Sequence, residues 1–312
     1  MAGIAIGIAL FALTLFYIDI GETLASARRL GFALPLILLP GTAWQLLRTW
    51  GWAVAFPDAM RPAFTRLFRV RLAADAVSFF TVRGIAGEPL KVVLLYDRVP
   101  APVCTAAIAV ERLAFAIVGI FVAGVVSYIA VRQLVMPAAW NRFFTATSMG
   151  AIITLGLLAL IARHRTGDYL GRIVALLDRL TGRRLEASRV IAFALDVEDA
   201  MLELLRGDRR RLVILTLLPI VCYVLMAMEV WLVLRAFGEP IGITAALTVE
   251  TIARIGSVAS AAIPGNFGAL EASNAVPVAM LGFSGGGALA LVRRVRSLLW
   301  AGVGLALYPR VR

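Results

Sequence analysis

Ten ionisable residues stand in or beside strongly apolar runs: Glu88, Lys91, Glu111, Arg112, Glu229, Glu250, Arg254, Glu271, Arg293 and Arg294. A charge at the centre of a bilayer costs at least about 2.5–3.5 kcal/mol on insertion scales, so such groups persist where they face one another, a cavity or a substrate. Two places carry related patterns. Gly84-Ile-Ala-Gly87-Glu88 interrupts one apolar segment, and Gly265-Asn-Phe-Gly268-Ala-Leu-Glu271 interrupts another. A little over 20 residues after each glutamate come basic residues, Arg112 in the first case and Arg293 and Arg294 in the second. Glycines let a chain break mid-membrane and let helices approach closely. Half-helix N-termini offer free N–H groups and a positive dipole end. With arginine nearby, such a place can hold an anionic or polar headgroup. The glutamates balance the arginines or bind a proton or a cationic group.

Each residue also has a structural reading. Arg293 and Arg296 can snorkel to a headgroup. Glu111 and Arg112 can sit near a helix start, in the interface. Glu229 can cap a hydrogen-bond network between helices. As a set, acids and bases in both halves of the chain are placed to pair in a bundle interior.

The parts needed for covalent or metal chemistry are few. His164 is the only histidine and lies in Arg-His-Arg; Cys104 and Cys222 form no CxxC motif and sit in apolar surroundings. Neither a disulfide framework nor a zinc site is suggested, and no GxxxxGK[ST] loop is present. The sequence assigns no catalytic residue, metal ligand or cofactor.

The 312 residues are 61% hydrophobic and 16% charged, with a mean hydropathy of +0.89. Soluble domains are nearer half apolar with about a quarter charged. One soluble core could not hide this much apolar surface, whereas a bilayer can. The net charge is +12, almost all from arginine, since Lys91 is the only lysine. The arginines fall in short segments between apolar runs, as in the cytoplasmic loops of membrane proteins, where they face anionic lipid headgroups. Nucleic acid is not an expected partner.

Apolar runs predict membrane-spanning helices over about 2–18, 32–56, 102–131, 143–162, 212–237, 243–263 and 287–308. The first lacks a basic n-region and a clear cleavage site and reads as a retained span. Segments 76–95 and 264–283 are broken by glycine, proline and charge, and read as broken or re-entrant. The segment 57–75 reads as a membrane-surface stretch. The arginine-rich region 163–211 has apolar positions such as Ile173, Leu176, Leu177 and Leu180 at helical spacing, which fits amphipathic helices on the cytoplasmic face. With both basic regions inside, 76–95 must return to the side it entered, and the N-terminus is cytoplasmic. The expected fold is an all-α polytopic transmembrane bundle, a single membrane domain over 1–312. Its approximate halves, 1–131 and 212–312, suggest two internal repeats.

The run Glu229-Val-Trp-Leu-Val-Leu-Arg-Ala-Phe-Gly238, then Ala245-Ala-Leu-Thr-Val-Glu250, Pro264-Gly-Asn-Phe-Gly-Ala-Leu-Glu271 and Arg293-Arg-Val-Arg296, resembles the flippase-like membrane region of lysylphosphatidylglycerol synthases. Gly87-Glu88 and the Ala109-Val-Glu-Arg112 stretch are similar too. Within that superfamily the chain most resembles the HpnL-type, hopanoid-associated membrane proteins. The resemblance implies a multi-pass protein of a bacterial inner membrane that moves or presents lipids. In bifunctional relatives a soluble C-terminal domain transfers an aminoacyl group to lipid. This chain stops just past its last span, so that activity is not expected of it.

Three functions are therefore weighed. The first is a flippase-like transporter for a hopanoid, isoprenoid-type or anionic lipid, passive or driven by an ion or proton gradient. The second is a membrane enzyme acting on a lipid-linked substrate. The third is a non-catalytic membrane partner of lipid-modifying enzymes.

Overall fold

The computed structural model describes residues 33–81, 87–163, 171–174, 176, 179, 188–260 and 268–308. The expected first span, Gly84, Gly265 and much of the region 163–188 lie outside the described residues. Among the described residues, ten complete α-helices follow in order: α1 (Ala33–Val54), α2 (Phe64–Phe80), α3 (Gly87–Leu95), α4 (Ala101–Gln133), α5 (Ala138–Arg163), α6 (Arg189–Gly207), α7 (Arg209–Ala236), α8 (Ile243–Ala259), α9 (Ala269–Met280) and α10 (Gly286–Ala306). The fold is an all-α bundle, as the apolar runs predict. Three helices, α4, α5 and α7, are long and apolar enough to cross a membrane. Helices α1 and α10 have 22 and 21 residues, about 30 Å at 1.5 Å per residue, and carry their polar groups inward.

Two apolar clusters mark the two ends of the bundle and fix the direction of each helix. The first gathers the end of α1 (Trp52–Phe56), the start of α2 (Leu67, Val70), the end of α3 (Leu94, Leu95), the start of α4 (Cys104–Val110), the start of α7 (Leu215) and Tyr308 after α10. The second gathers the start of α1 (Ile37), the end of α7 (Val230–Leu234), the start of α8 (Ala245), the end of α9 (Val278), the start of α10 (Leu289) and Leu134 after α4. So α2 and α3 enter and leave at the first end, and α8 and α9 enter and leave at the second. Both are re-entrant pairs. This fits the expectation that 76–95 turns back, and it corrects the expected span over 243–263: α8 is one limb of a second returning pair, with α9 as the other.

The order helix, re-entrant pair, helix occurs twice, as α1–α4 and as α7–α10. The second unit runs opposite to the first. Cross-packing is reciprocal: α2 lies on α10, α8 lies on α4, and α1 lies on α7. These are the marks of an inverted repeat with a pseudo-two-fold axis in the membrane plane. Gly304 of α10 sits where a Cβ would lie 2.2 Å from the Leu72 carbonyl oxygen of α2. Backbones approach this closely in membrane bundles only at small residues.

Helix α5 packs on α4, with Ala151 against Gly124. Its other side exposes Ile152, Ile153, Leu157 and Leu160. Helix α6 is amphipathic as expected, but its apolar face is used internally: Val197, Ala200, Met201 and Leu204 pack on the first cluster. Asp208 accepts a hydrogen bond from the Arg210 backbone N–H at 2.8 Å and caps α7.

Two expectations are corrected. The stretch 57–75 is not a surface segment from Phe64 on. Leu67, Val70, Leu72, Ala73 and Ala74 are buried, because α2 is the inward limb of a re-entrant pair. Glu111 and Arg112 are not at a helix start either. Helix α4 begins at Ala101, with Pro102 in its first turn, so these residues lie nearly three turns in.

Candidate functional site

The inverted repeat brings the buried charges into two matching sets. In the first, Glu111 of α4 faces two arginines. Its Oε1 lies 2.8 Å from Arg48 Nη2 of α1 and 3.6 Å from Arg71 Nη1 of α2. The Arg48 contact is an ion pair and not an aligned hydrogen bond. The Arg48 guanidinium rests 3.9 Å from the Phe115 ring centroid, a cation–π contact that offsets part of its desolvation. Arg71 also donates to the Arg48 carbonyl at 3.2 Å and reaches Asp75 at 3.5 Å. Lys91 of α3 lies 3.1 Å from Glu88 and 3.9 Å from Asp75. Arg112 of α4 pairs with Glu88 at the start of α3.

In the second set, Arg293 of α10 donates to Glu250 of α8 at 2.5 Å, to Asn274 of α9 at 2.9 Å and to the Met226 carbonyl of α7 at 3.3 Å. Arg254 donates to the other Glu250 oxygen at 2.7 Å and covers the Tyr223 ring. Tyr223 and Thr251 share a 2.5 Å hydrogen bond. Arg294 donates to Glu271 at 2.6 Å and 3.1 Å. Arg296 pairs with Glu229 of α7 and donates to the Met226 sulfur at 3.4 Å.

The two sets correspond position by position. Glu88–Arg112 matches Glu271–Arg294, with sequence separations of 24 and 23. Lys91 matches Asn274, each three residues past its glutamate. The pair Arg71–Asp75 on α2 matches Glu250–Arg254 on α8, both four residues apart, with the signs exchanged. Glu111 facing Arg71 matches Arg293 facing Glu250, again with the signs exchanged. An ion pair keeps its attraction when its partners swap. Each set holds four basic and three acidic residues, so each carries one excess positive charge.

Helix α7, on which Cys222 is buried, packs on α1 and α4 of the first set and on α8 and α10 of the second. All ten charged candidates thus belong to one of two adjoining groups, and no candidate is stranded in apolar packing. Gly87 has a packing role: a Cβ there would lie 2.7 Å from the Ala74 carbonyl oxygen. Gly268 precedes α9 with φ +74°, a left-handed turn that suits glycine.

Sequence reasoning missed Arg48, Arg71, Asp75 and Asn274. Arg71 and Asp75 had been placed in a surface stretch, although their i, i+4 spacing matches Glu250 and Arg254. Arg296 is not a snorkelling residue, since its partner Glu229 is fully buried. A shallow hollow of about 470 Å³ lies elsewhere, at the second end, lined by Gln133, Leu134, Ile243, Thr244, Leu281 and Phe283.

The architecture and the paired charges define an inverted-repeat membrane bundle with an ionised interior. The chain belongs to the family described as Lysylphosphatidylglycerol synthase TM region, which matches residues 1–306. A search of curated proteins gave no match, and neither did a search of solved structures. The family suggests a membrane protein related to lipid handling.

Proposed function

We propose that this protein moves or presents a lipid across the bilayer, with the headgroup passing along the interface between the two repeats and the acyl chains remaining in the membrane. The observation that carries this reading is the duplicated Glu–Arg pair at the break of each inverted unit. A structural bundle has no need to gather fourteen charged residues, several of them fully buried, and a group left unpaired in a bilayer costs several kcal/mol. Inverted repeats with broken helices meeting near the midplane are the usual frame of a transport path. The excess positive charge in each set favours an anionic headgroup. Arginine suits this task because its planar fork binds two phosphate oxygens at once. A hopanoid or isoprenoid-type lipid with a phosphate-bearing head and an anionic phospholipid share this chemistry. The reading involves no covalent step. It places the chain in a bacterial inner membrane with the 55–63 turn and the start of α7 on the cytoplasmic side, where their arginines belong.

The test is movement of fluorescent phosphatidylglycerol between leaflets of reconstituted vesicles. Arg294→Ala leaves Glu271 about half exposed and able to hydrate, so the bundle should survive. Both Arg294→Ala and Glu271→Ala are expected to lower the rate at least tenfold with insertion intact, matching loss of a charge-assisted contact worth about 1.5–3 kcal/mol. Wild-type rates in both variants would remove these residues from the path.

A further inference from the structure

The pseudo-two-fold axis makes a specific statement about Glu88–Arg112 and Glu271–Arg294. The pairs occupy equivalent positions, each joining the start of a short re-entrant helix to a long helix. Because the repeat is inverted, α3 runs from its break toward the first end, and α9 runs from its break toward the second. The two pairs therefore guard opposite ends of the bundle.

They also differ from the pairs beneath them. Glu111, Arg71, Glu250 and Arg293 have side chains no more than 6% exposed. In contrast, Arg112 is 48% exposed with Glu88 at 23%, and Glu271 is 46% exposed with Arg294 at 4%. Each outer pair has one accessible partner and one sheltered partner, and the roles are exchanged between the halves. Two Arg294 nitrogens, Nε and Nη2, converge on a single oxygen of Glu271, and Glu271 Oε2 is buried without a hydrogen-bond partner among the described residues. A phosphodiester presents two oxygens to the same fork and can replace the carboxylate with better geometry.

We infer that Glu88–Arg112 and Glu271–Arg294 are two locks on one path, one for each leaflet, and that a lipid phosphodiester opens a lock by taking the arginine from its glutamate. The inference rests on the lipid-transport reading. The locks are unequal. When Arg112 leaves, Glu88 keeps Lys91 at 3.1 Å. At the equivalent position Asn274 is turned to Arg293. Glu88 thus keeps a cation when Arg112 leaves, whereas Glu271, 46% exposed, is left to hydration. Population balance couples them, because opening one draws the bundle from the state in which the other is open.

Pro89 and Ala272 are the exposed residues that directly follow the two glutamates, and they are equivalent by the repeat. Pro89→Cys and Ala272→Cys, in vesicles of phosphatidylethanolamine and phosphatidylglycerol, are labelled with a membrane-impermeant maleimide applied to one side at a time. Wild type serves as the blank, since Cys104 and Cys222 are buried. The two positions should react from opposite sides. Adding Arg112→Gln should speed labelling of Pro89→Cys and slow that of Ala272→Cys several-fold, and Arg294→Gln should do the reverse. Labelling from the same side, or rates that rise together or stay fixed, overturns the locks. This readout needs no lipid flux. Wild-type protein that moves no fluorescent lipid, yet shows reciprocal labelling, would sink the transport reading and leave the paired locks standing.

Discussion

Glu250→Ala is expected to destabilise the bundle by about 3–5 kcal/mol, the range for removing one partner of a buried ion pair. Two arginines share this carboxylate, and they differ in what they can do without it. Arg254 is 32% exposed and lies over Tyr223, so it can reach out. Arg293 is 6% exposed and held by Asn274 and the Met226 carbonyl. It would be left as a charge without a counter-ion. Arg293→Met should cost much less, because Glu250 keeps Arg254 at 2.7 Å. The double variant Glu250→Ala/Arg293→Met should recover more than half of the loss, as replacing both members of a buried pair with apolar groups is often close to neutral. Thermal unfolding in detergent, followed by the loss of monodisperse protein, gives the order. A Glu250→Ala protein as stable as Arg293→Met would show that the pair is not desolvated as described.

Gly304→Ala should be the most damaging glycine-to-alanine change among the described residues. In a helix interior alanine normally gains up to about 1 kcal/mol over glycine. Here the added carbon would lie 2.2 Å from the Leu72 carbonyl oxygen and 2.7 Å from its carbonyl carbon. Those are backbone atoms of α2, so no rotamer change relieves the overlap. The helices must separate, and α2 on α10 is one of the contacts that joins the two repeats. Overpacking of this kind costs about 1–3 kcal/mol, occasionally more, and a backbone clash belongs at the upper end. Gly119→Ala on α4 is the control, since a Cβ there meets nothing within 4 Å. Its unfolding midpoint should hold or rise. A Gly304→Ala midpoint equal to that of Gly119→Ala would contradict the close approach.

Much of this fold was legible because apolar length and positive charge report on crossings and sides. The return of 76–95 followed from two basic regions separated by two clean spans. The return of α8 and α9 did not, because 243–263 is apolar and long enough to read as a full span. The spacing of Glu88 to Arg112 and of Glu271 to Arg294 disclosed the outer pairs. The deeper pairs were hidden by the exchange of signs. Arg71–Asp75 and Glu250–Arg254 perform the same electrostatic task, but a sequence comparison of the two halves sets a cation against an anion. Arg48 was hidden for another reason: α1 carries no acidic residue to mark a pair, and its partners Phe115 and Glu111 lie on another helix. The hydrophobic period says which residues face inward. It does not say which charge on another helix will meet them.

Helix α5 takes on a meaning beyond its sparse packing. Each four-helix unit crosses the membrane twice, since its re-entrant pair turns back, so a unit finishes on the face where it began. Two such units fused directly would point the same way. An odd number of additional traverses is needed to turn the second copy upside down, and α5 supplies one. Its duty is therefore one of parity: a greasy helix with few neighbours converts a tandem duplication into an antiparallel one.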